Sequence, residues 1–350
     1  MRRVALVLAA GLAALLAGAA GLALWARQDL ARPRAYPAPV EIVVERGETA
    51  RAVLERLAAR GVIGSPRLAR LYLGRVLGGA PIHAGEYRFE PPTSTLQVLD
   101  RLVRGAVATH AVTVVEGLTL DETVAALAAA GFGDRARLRA EFAHPARVAD
   151  LDPAATDLEG YLFPDTYRFP RGISEDAIAD ALVANFRARY EREVRPLVAR
   201  GDERPVRELV ILASLVEKEA RLESERPLVA GVYANRLRRG IGLYADPTLI
   251  YGLKLEGRWD GDLRRRDLAS DSPWNTYRTL GLPPGPICSP GSASLAAAAR
   301  PADVPYLYFV SRNDGSHVFA ETLAEHNRNV DLWQRRYFRA RRPDGAPPAR

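Results

Sequence analysis

The chain of 350 residues holds one cysteine and five histidines, and each shortage closes off chemistry. Cys288, standing alone, allows no intrachain disulfide and no cysteine-based metal cluster. His83, His110, His144, His317 and His326 show neither HExxH spacing nor close pairing, so no catalytic zinc, and no other metal or cofactor, is expected. A GxSxG elbow, a phosphate-cradling GxxxxGK(S/T) loop and a GxGxxG turn are all missing, which removes the main supports for serine-hydrolase, nucleotidase and dehydrogenase readings. Ser214 precedes Lys218 by four positions, not the three of an SxxK acylase motif. Lysine is nearly absent too: Lys218 and Lys254 stand among 49 basic residues, so the arginine content reflects a bias toward Arg and Ala and carries little functional weight. Against 42 acidic residues the formal charge is +7, with no long block of one sign, which excludes a dedicated nucleic-acid arm. A diffuse basic excess suits an anionic surface such as a membrane or an acidic polymer.

Long apolar runs are scarce as well, with one exception. Val4 to Ala26, "VALVLAAGLAALLAGAAGLALWA", carries no charge and is long enough to cross a ~30 Å hydrocarbon core. Trp25 fits an interfacial anchor at its far end. A cleaved signal peptide, with Ala17-Gly18-Ala19 as its processing site, is the competing reading, but the apolar stretch exceeds the usual ~7–15-residue core of such leaders. The expectation is therefore a tip over 1–3, a transmembrane anchor over 4–26, and everything after it exported to the extracytoplasmic side. Arg27, Arg32 and Arg34 partly balance Arg2 and Arg3 in the orientation rule.

Residues 27–39, with three prolines among charges, read as a stiff linker. "VEIVV" (40–44) and "GEYRF" (85–89) have strand character; helical periodicity predicts helices over 48–61 and 94–105, each ended by glycine, and Ser65-Pro66 opens another. Residues 112–132 partly repeat 40–63 as a β-run, a glycine turn and an amphipathic helix, and Thr119 and Glu122 stand at capping-box spacing. Beyond 150, helices are predicted near 174–200, 205–222, 224–240 and 292–300, separated by long loops rich in aromatics and proline: 159–172, 244–252, 272–291 and 304–327. The tail over 340–350 reads as unstructured. The fold class is α+β.

One stretch concentrates the chemistry. "LASLVEKEARLESER" (212–226) passes from apolar to acidic within a few residues. On a helical wheel with Val216 at zero, Leu209, Leu212 and Ala220 fall within about 40°, Glu223 near 20°, Glu219 near 60°, Glu217 near 100° and Glu225 near 180°. This points Glu219 and Glu223 toward the buried face and Glu225 toward water, and pairs Glu217 with Arg221 as a surface salt bridge. A general acid must hold its proton near neutral pH, and desolvation is the usual means. The bland alternative, that all four glutamates solvate a helix end, stays open on spacing alone. Tyr, Trp, Asn and Asp in the surrounding loops are a carbohydrate-binding palette, although residues such as Tyr161 and Tyr167 equally suit loop packing.

The blocks "EGYLFPDTYRF" (159–169), "LASLVEKEA" (212–220), "VYANRLRRGIGLYADPTLIYG" (232–252), "NTYRTLGLPPGPICSPG" (275–291), "PYLYFV" (305–310) and "HVFAETLAEHN" (317–327), in this order behind an N-terminal anchor, resemble the endolytic murein transglycosylases of the YceG-like family. The resemblance implies a single-span inner-membrane protein exposing a small LysM-like α+β subdomain (40–108) and a larger mixed α+β catalytic domain (109–339) to the periplasm. It implies a lytic transglycosylase, a lyase acting within peptidoglycan glycan strands, with Glu219, second glutamate of "EKE", as catalytic acid. Glu223 would contact substrate or raise the pKa of Glu219, and Asn235, Asp246, Thr248, Tyr251, Asn275 and Tyr277 are further substrate-contact candidates by motif position and residue type. One departure is visible: Tyr244 follows Leu243 where the family usually has glutamine. Penicillin-binding peptidoglycan synthases are the implied partners. The rival expectation is a non-catalytic, membrane-anchored peptidoglycan-binding scaffold.

Overall fold

The computed structural model describes residues 2–340, so Met1 and the expected tail beyond Ala340 lie outside the described residues. The chain forms two compact units, residues 1–111 with 168–172, and 112–167 with 173–350. In the first, α1 (Arg2–Ala31) contains a span, Ala10–Ala31, long and apolar enough to cross a bilayer. It continues through Arg27 into the stretch read as linker and stops before Pro33, which disfavours helical backbone in the residue preceding it. The rest of that stretch is held: Tyr36 is buried and its hydroxyl donates to Thr93 Oγ1 at 3.2 Å. β1 (Val40–Val44) pairs antiparallel with β2 (Gly85–Phe89), Ile42 opposite Tyr87. Their inward residues meet Val53, Leu54 and Leu57 of α2 (Ala50–Ala59) and Val98, Leu99 and Leu102 of α4 (Thr95–Arg104) in one apolar core. Between them α3 (Pro66–Arg75) opens as predicted, with Ser65 Oγ accepting from Leu68 N–H. Gly105 closes α4 at φ 66°, a left-handed position that costs glycine nothing.

Most of β3 (His110–Val114) and β4 (Asp165–Phe169), which pair with each other, belongs to the second unit. α5 (Leu120–Ala129) follows β3 through the capping box that the spacing of Thr119 and Glu122 predicts. α6 (Arg135–Phe142) packs on α5, and α7 (Glu175–Arg189) packs on α6. α8 (Val206–Glu219) is the central element: every residue from Leu209 to Val216 is buried, and α9 (Arg226–Arg238) and α11 (Ser292–Ala299) pack on it. Three of the stretches read as loops contain regular structure. β4 lies inside 159–172, α10 (Asp246–Leu255) covers most of 244–252, and β5 (Tyr308–Ser311) and β6 (His317–Ala320) form an antiparallel hairpin within 304–327, followed by α12 (Leu323–Val330). Pro247 explains the second case: in the first turn of a helix it starts the element, although along a sequence it reads as a break. A last turn, α13 (Tyr337–Ala340), ends the described residues.

Candidate active site

The apolar run 209–216 makes α8 a core helix, and Glu219 is its last residue. Ala220 turns to extended backbone (φ −88°, ψ 111°), a short 3-10 turn follows, and Pro227 fixes the first turn of α9. This places Glu219 where a buried helix surfaces. Oε1 accepts a hydrogen bond from the Tyr233 hydroxyl of α9 at 3.1 Å, while Oε2 takes none from the described residues. Burial, with the negative charge of Asp246 adding to it, pushes the Glu219 carboxyl up to about 7, against the opposing pull of the Tyr233 hydrogen bond and the Arg236 charge. The residue nevertheless keeps some solvent-accessible surface. The result is a carboxyl that holds its proton near neutral pH and still meets solvent.

The walls around it are aromatic and well braced. Tyr233 packs edge-on against Phe309 at 6.0 Å. Arg236, also on α9, donates to the carbonyls of Leu307 (2.6 Å) and Leu243 (2.8 Å), and its guanidinium lies over the Tyr244 and Tyr308 rings. Asp246 accepts from the Tyr277 hydroxyl at 2.5 Å, and Tyr277 stacks on exposed Tyr244 with ring centres 5.5 Å apart. Tyr244 adopts φ 51°, unusual for a tyrosine, and a side chain at Gly242 would meet its ring at 2.7 Å, which explains a glycine there. Thr276 pins this loop: its carbonyl accepts from Tyr244 N–H and its hydroxyl from Ala245 N–H at 3.0 Å.

The acidic run behaves differently from its helical wheel, because α8 ends at Glu219 and the angles beyond it lose meaning. Glu223 lies in the 3-10 turn and is exposed, so it does not continue the buried face and does not stand one turn beyond Glu219; the acidic neighbour that raises Glu219 is Asp246. Glu225, placed toward water by the wheel, is buried and accepts from His317 N–H at 2.9 Å, with His317 Nδ1 at 2.7 Å. Glu217 pairs with Arg226 at 3.1 Å, not with Arg221, and its side chain is only 6% exposed, so this is no surface bridge; it also accepts from Gly291 N–H.

Among the other candidates, Asp246 and Tyr277 gather at Glu219, and the rest do structural work. Asn235 donates to the carbonyls of Val304 and Tyr306, and Asn275 to those of Leu268 and Ser270, so both side-chain amides are engaged inside the fold. Thr248 is fully buried against Ala245 O and Thr276. Tyr251 donates to a different acid, Glu159, at 3.1 Å and packs on Trp274. Glu159 is a second carboxyl raised by burial, to about 8. It accepts from Leu120 N–H at the start of α5 and lines a cavity of about 170 Å³ with Asp152, Arg207 and Trp274. Its oxygens are committed to a helix end and a buried tyrosine, which separates it from Glu219. Sequence reading passed over Tyr233 and Arg236 because nothing in their spacing shows α9 folding back along α8. A groove of about 540 Å³ lies on Glu208, Leu212, Asn235 and Ala302 and does not include Glu219. Among the described residues no cluster of three or more His, Cys, Asp or Glu is placed to hold a metal.

The profile of the YceG-like family matches residues 42–332. A Bacillus subtilis (strain 168) protein named endolytic murein transglycosylase is 31% identical over 308 residues, covering 83% of each chain. A protein of the same name from Streptococcus pneumoniae serotype 2 (strain D39) is 28% identical over 284 residues, 71% of this chain and 50% of that protein. The crystal structure of a putative yceG-like protein from Listeria monocytogenes superposes with a TM-score of 0.56 at 28% identity, covering 83% of this chain and 98% of that one.

Proposed function

The chain belongs to the YceG-like family, and on that premise we propose that it is a murein transglycosylase in which Glu219 cleaves the β-1,4 bond between N-acetylmuramic acid and N-acetylglucosamine inside a glycan strand. Glu219 gives its proton to the leaving glycosidic oxygen as the bond to the muramyl C1 breaks. The muramyl 6-hydroxyl attacks C1, the new C1–O6 bond closes a 1,6-anhydro ring, and the hydroxyl proton returns to the Glu219 carboxylate. Atoms balance without water, and the acid is regenerated. Ordinary glycosidases use two carboxylates because they must activate or replace an external nucleophile; here the substrate supplies its own. The observation that carries this reading is a reachable acid raised to about 7, one oxygen steadied by Tyr233 and the other without a partner among the described residues.

Tyr244, Tyr277 and Asp246 flank the acid as an aromatic and acidic rim for the sugars. Residues 40–108 act as a LysM-like glycan-holding subdomain ahead of the catalytic domain over 109–339. The anchor in α1 keeps the extracytoplasmic enzyme beside strands emerging from membrane-bound synthases, where cleavage sets their length. The test uses purified chain and uncrosslinked glycan strands with mass spectrometry of the ends. Anhydro ends made by wild type and not by Glu219→Gln are expected. Strands left intact by wild type would favour the non-catalytic scaffold instead.

A further inference from the structure

Within the first unit a groove of about 620 Å³ opens between α1 and α3, inside the ~300–1,000 Å³ range of small-molecule sites. Ala23, Ala26 and Leu30, at helical spacing, form one wall, and Leu68 and Leu71 of α3 with Val76 just past its end form the other. Leu71 and Val76 are 55% and 62% exposed, an apolar patch left uncovered among the described residues. Arg27 and Arg75 line the same groove. Some arginines of this unit find carboxylates, as Arg34 does with Asp29, Arg56 with Glu48 and Arg104 with Asp100, while others, such as Arg46 and Arg67, make no ion pair among the described residues. Arg27 and Arg75 make no ion pair among the described residues.

The position of the groove decides its occupant. Ala23, Ala26 and Leu30 belong to the membrane-length span itself, so the apolar surface of the groove is continuous with the surface that α1 turns to lipid. From Ala23 to Leu30 the helix rises about 10 Å, comparable with the polar layer that flanks the ~30 Å hydrocarbon core. Cations at that depth draw anionic headgroups, and stems of arginine lie along apolar surface while the guanidinium stays at the polar boundary. We propose that this groove binds one anionic phospholipid of the surrounding leaflet, an acyl chain between α1 and α3 and its phosphate against Arg27 and Arg75. The inference rests on α1 remaining in the membrane. The lipid then fastens the first unit to the bilayer surface.

Native mass spectrometry of the full-length chain in detergent micelles, with equimolar phosphatidylglycerol and phosphatidylcholine, tests it. Wild type retains phosphatidylglycerol about thirtyfold over phosphatidylcholine, the preference two interfacial arginines give. The Arg27→Gln/Arg75→Gln double variant falls to near parity, Leu71→Asp loses both lipids, and Arg46→Gln, which does not line the groove, keeps the preference. Equal retention by wild type, or an unchanged preference in the double variant, overturns the proposal. Displacement of the lipid by soluble glycerol phosphate overturns the acyl-chain part of it. The same spectrum reads the mass of the chain: loss of α1 would show a cleaved leader and remove the anchor reading, whereas an intact chain that retains no lipid removes only this inference.

Discussion

Replacing Tyr233 by phenylalanine and Asp246 by asparagine moves the acid of this site in opposite directions, and the structure gives both signs. The Tyr233 hydroxyl donates to Glu219 at 3.1 Å, which favours the ionised carboxylate and holds the pKa down to about 7. A hydrogen bond to a charged acceptor is stronger than one to its neutral form by roughly 1 kcal/mol, and one pKa unit is about 1.4 kcal/mol. Tyr233→Phe therefore raises Glu219 by roughly 0.7 of a unit, and the alkaline limb of the kcat/KM profile shifts from about 7 toward 8. Asp246 acts through its negative charge, which disfavours a second anion nearby. It is exposed and screened, so Asp246→Asn lowers the limb by a smaller step, roughly a few tenths of a unit. The assay is the initial rate of anhydro-end formation from uncrosslinked strands between pH 5 and 9. A limb that falls in Tyr233→Phe, or rises in Asp246→Asn, refutes the electrostatic account of the site.

Glu159 offers a test by stability: in the unfolded chain it ionises near 4.5, whereas the folded chain keeps it protonated up to about 8. Each pH unit inside that window therefore removes up to about 1.4 kcal/mol of folding free energy, and Glu159→Gln flattens the fall in the urea midpoint between pH 5 and 8; an unchanged slope contradicts this. Arg226→Ala leaves the 6%-exposed Glu217 carboxylate without its cation and costs about 3–5 kcal/mol in urea denaturation, most of it recovered by adding Glu217→Gln. A single-variant loss below about 1 kcal/mol would mean the pair is effectively solvated. Cys288 is fully buried and its thiol is pushed well above the usual range, so aromatic disulfide reagents label it only in denaturant; fast labelling of the native chain would refute its burial.

Local signals in the sequence translated well where they were strong and short. β1 and β2 occupy the predicted residues, and Ser65 and Thr119 cap the helices their spacing announced. The helix expected over 205–222 is present as α8, but it stops at Glu219 and is buried all round over 209–216, not on one face. What escaped depended on the turn after Glu219, because a wheel drawn past a helix end assigns faces that do not exist. Glu223 and Glu225 exchanged environments for that reason. The candidate amides escaped for another: asparagine announces hydrogen bonding, but not whether its partner is a sugar or, as for Asn235 on α9 and Asn275 in its loop, backbone carbonyls of the fold itself. Tyr251 shows the same limit, since the carboxyl it meets is Glu159, far from it in sequence.

The central claim is that Glu219 acts alone and the substrate supplies the nucleophile. The measurement that meets it most directly is cleavage of uncrosslinked glycan strands in ¹⁸O-labelled water, with mass spectrometry of the new muramyl ends. Wild type should yield 1,6-anhydro ends free of ¹⁸O, and Glu219→Gln should yield none. Reducing ends carrying ¹⁸O, or equal cleavage by Glu219→Gln, would contradict the account.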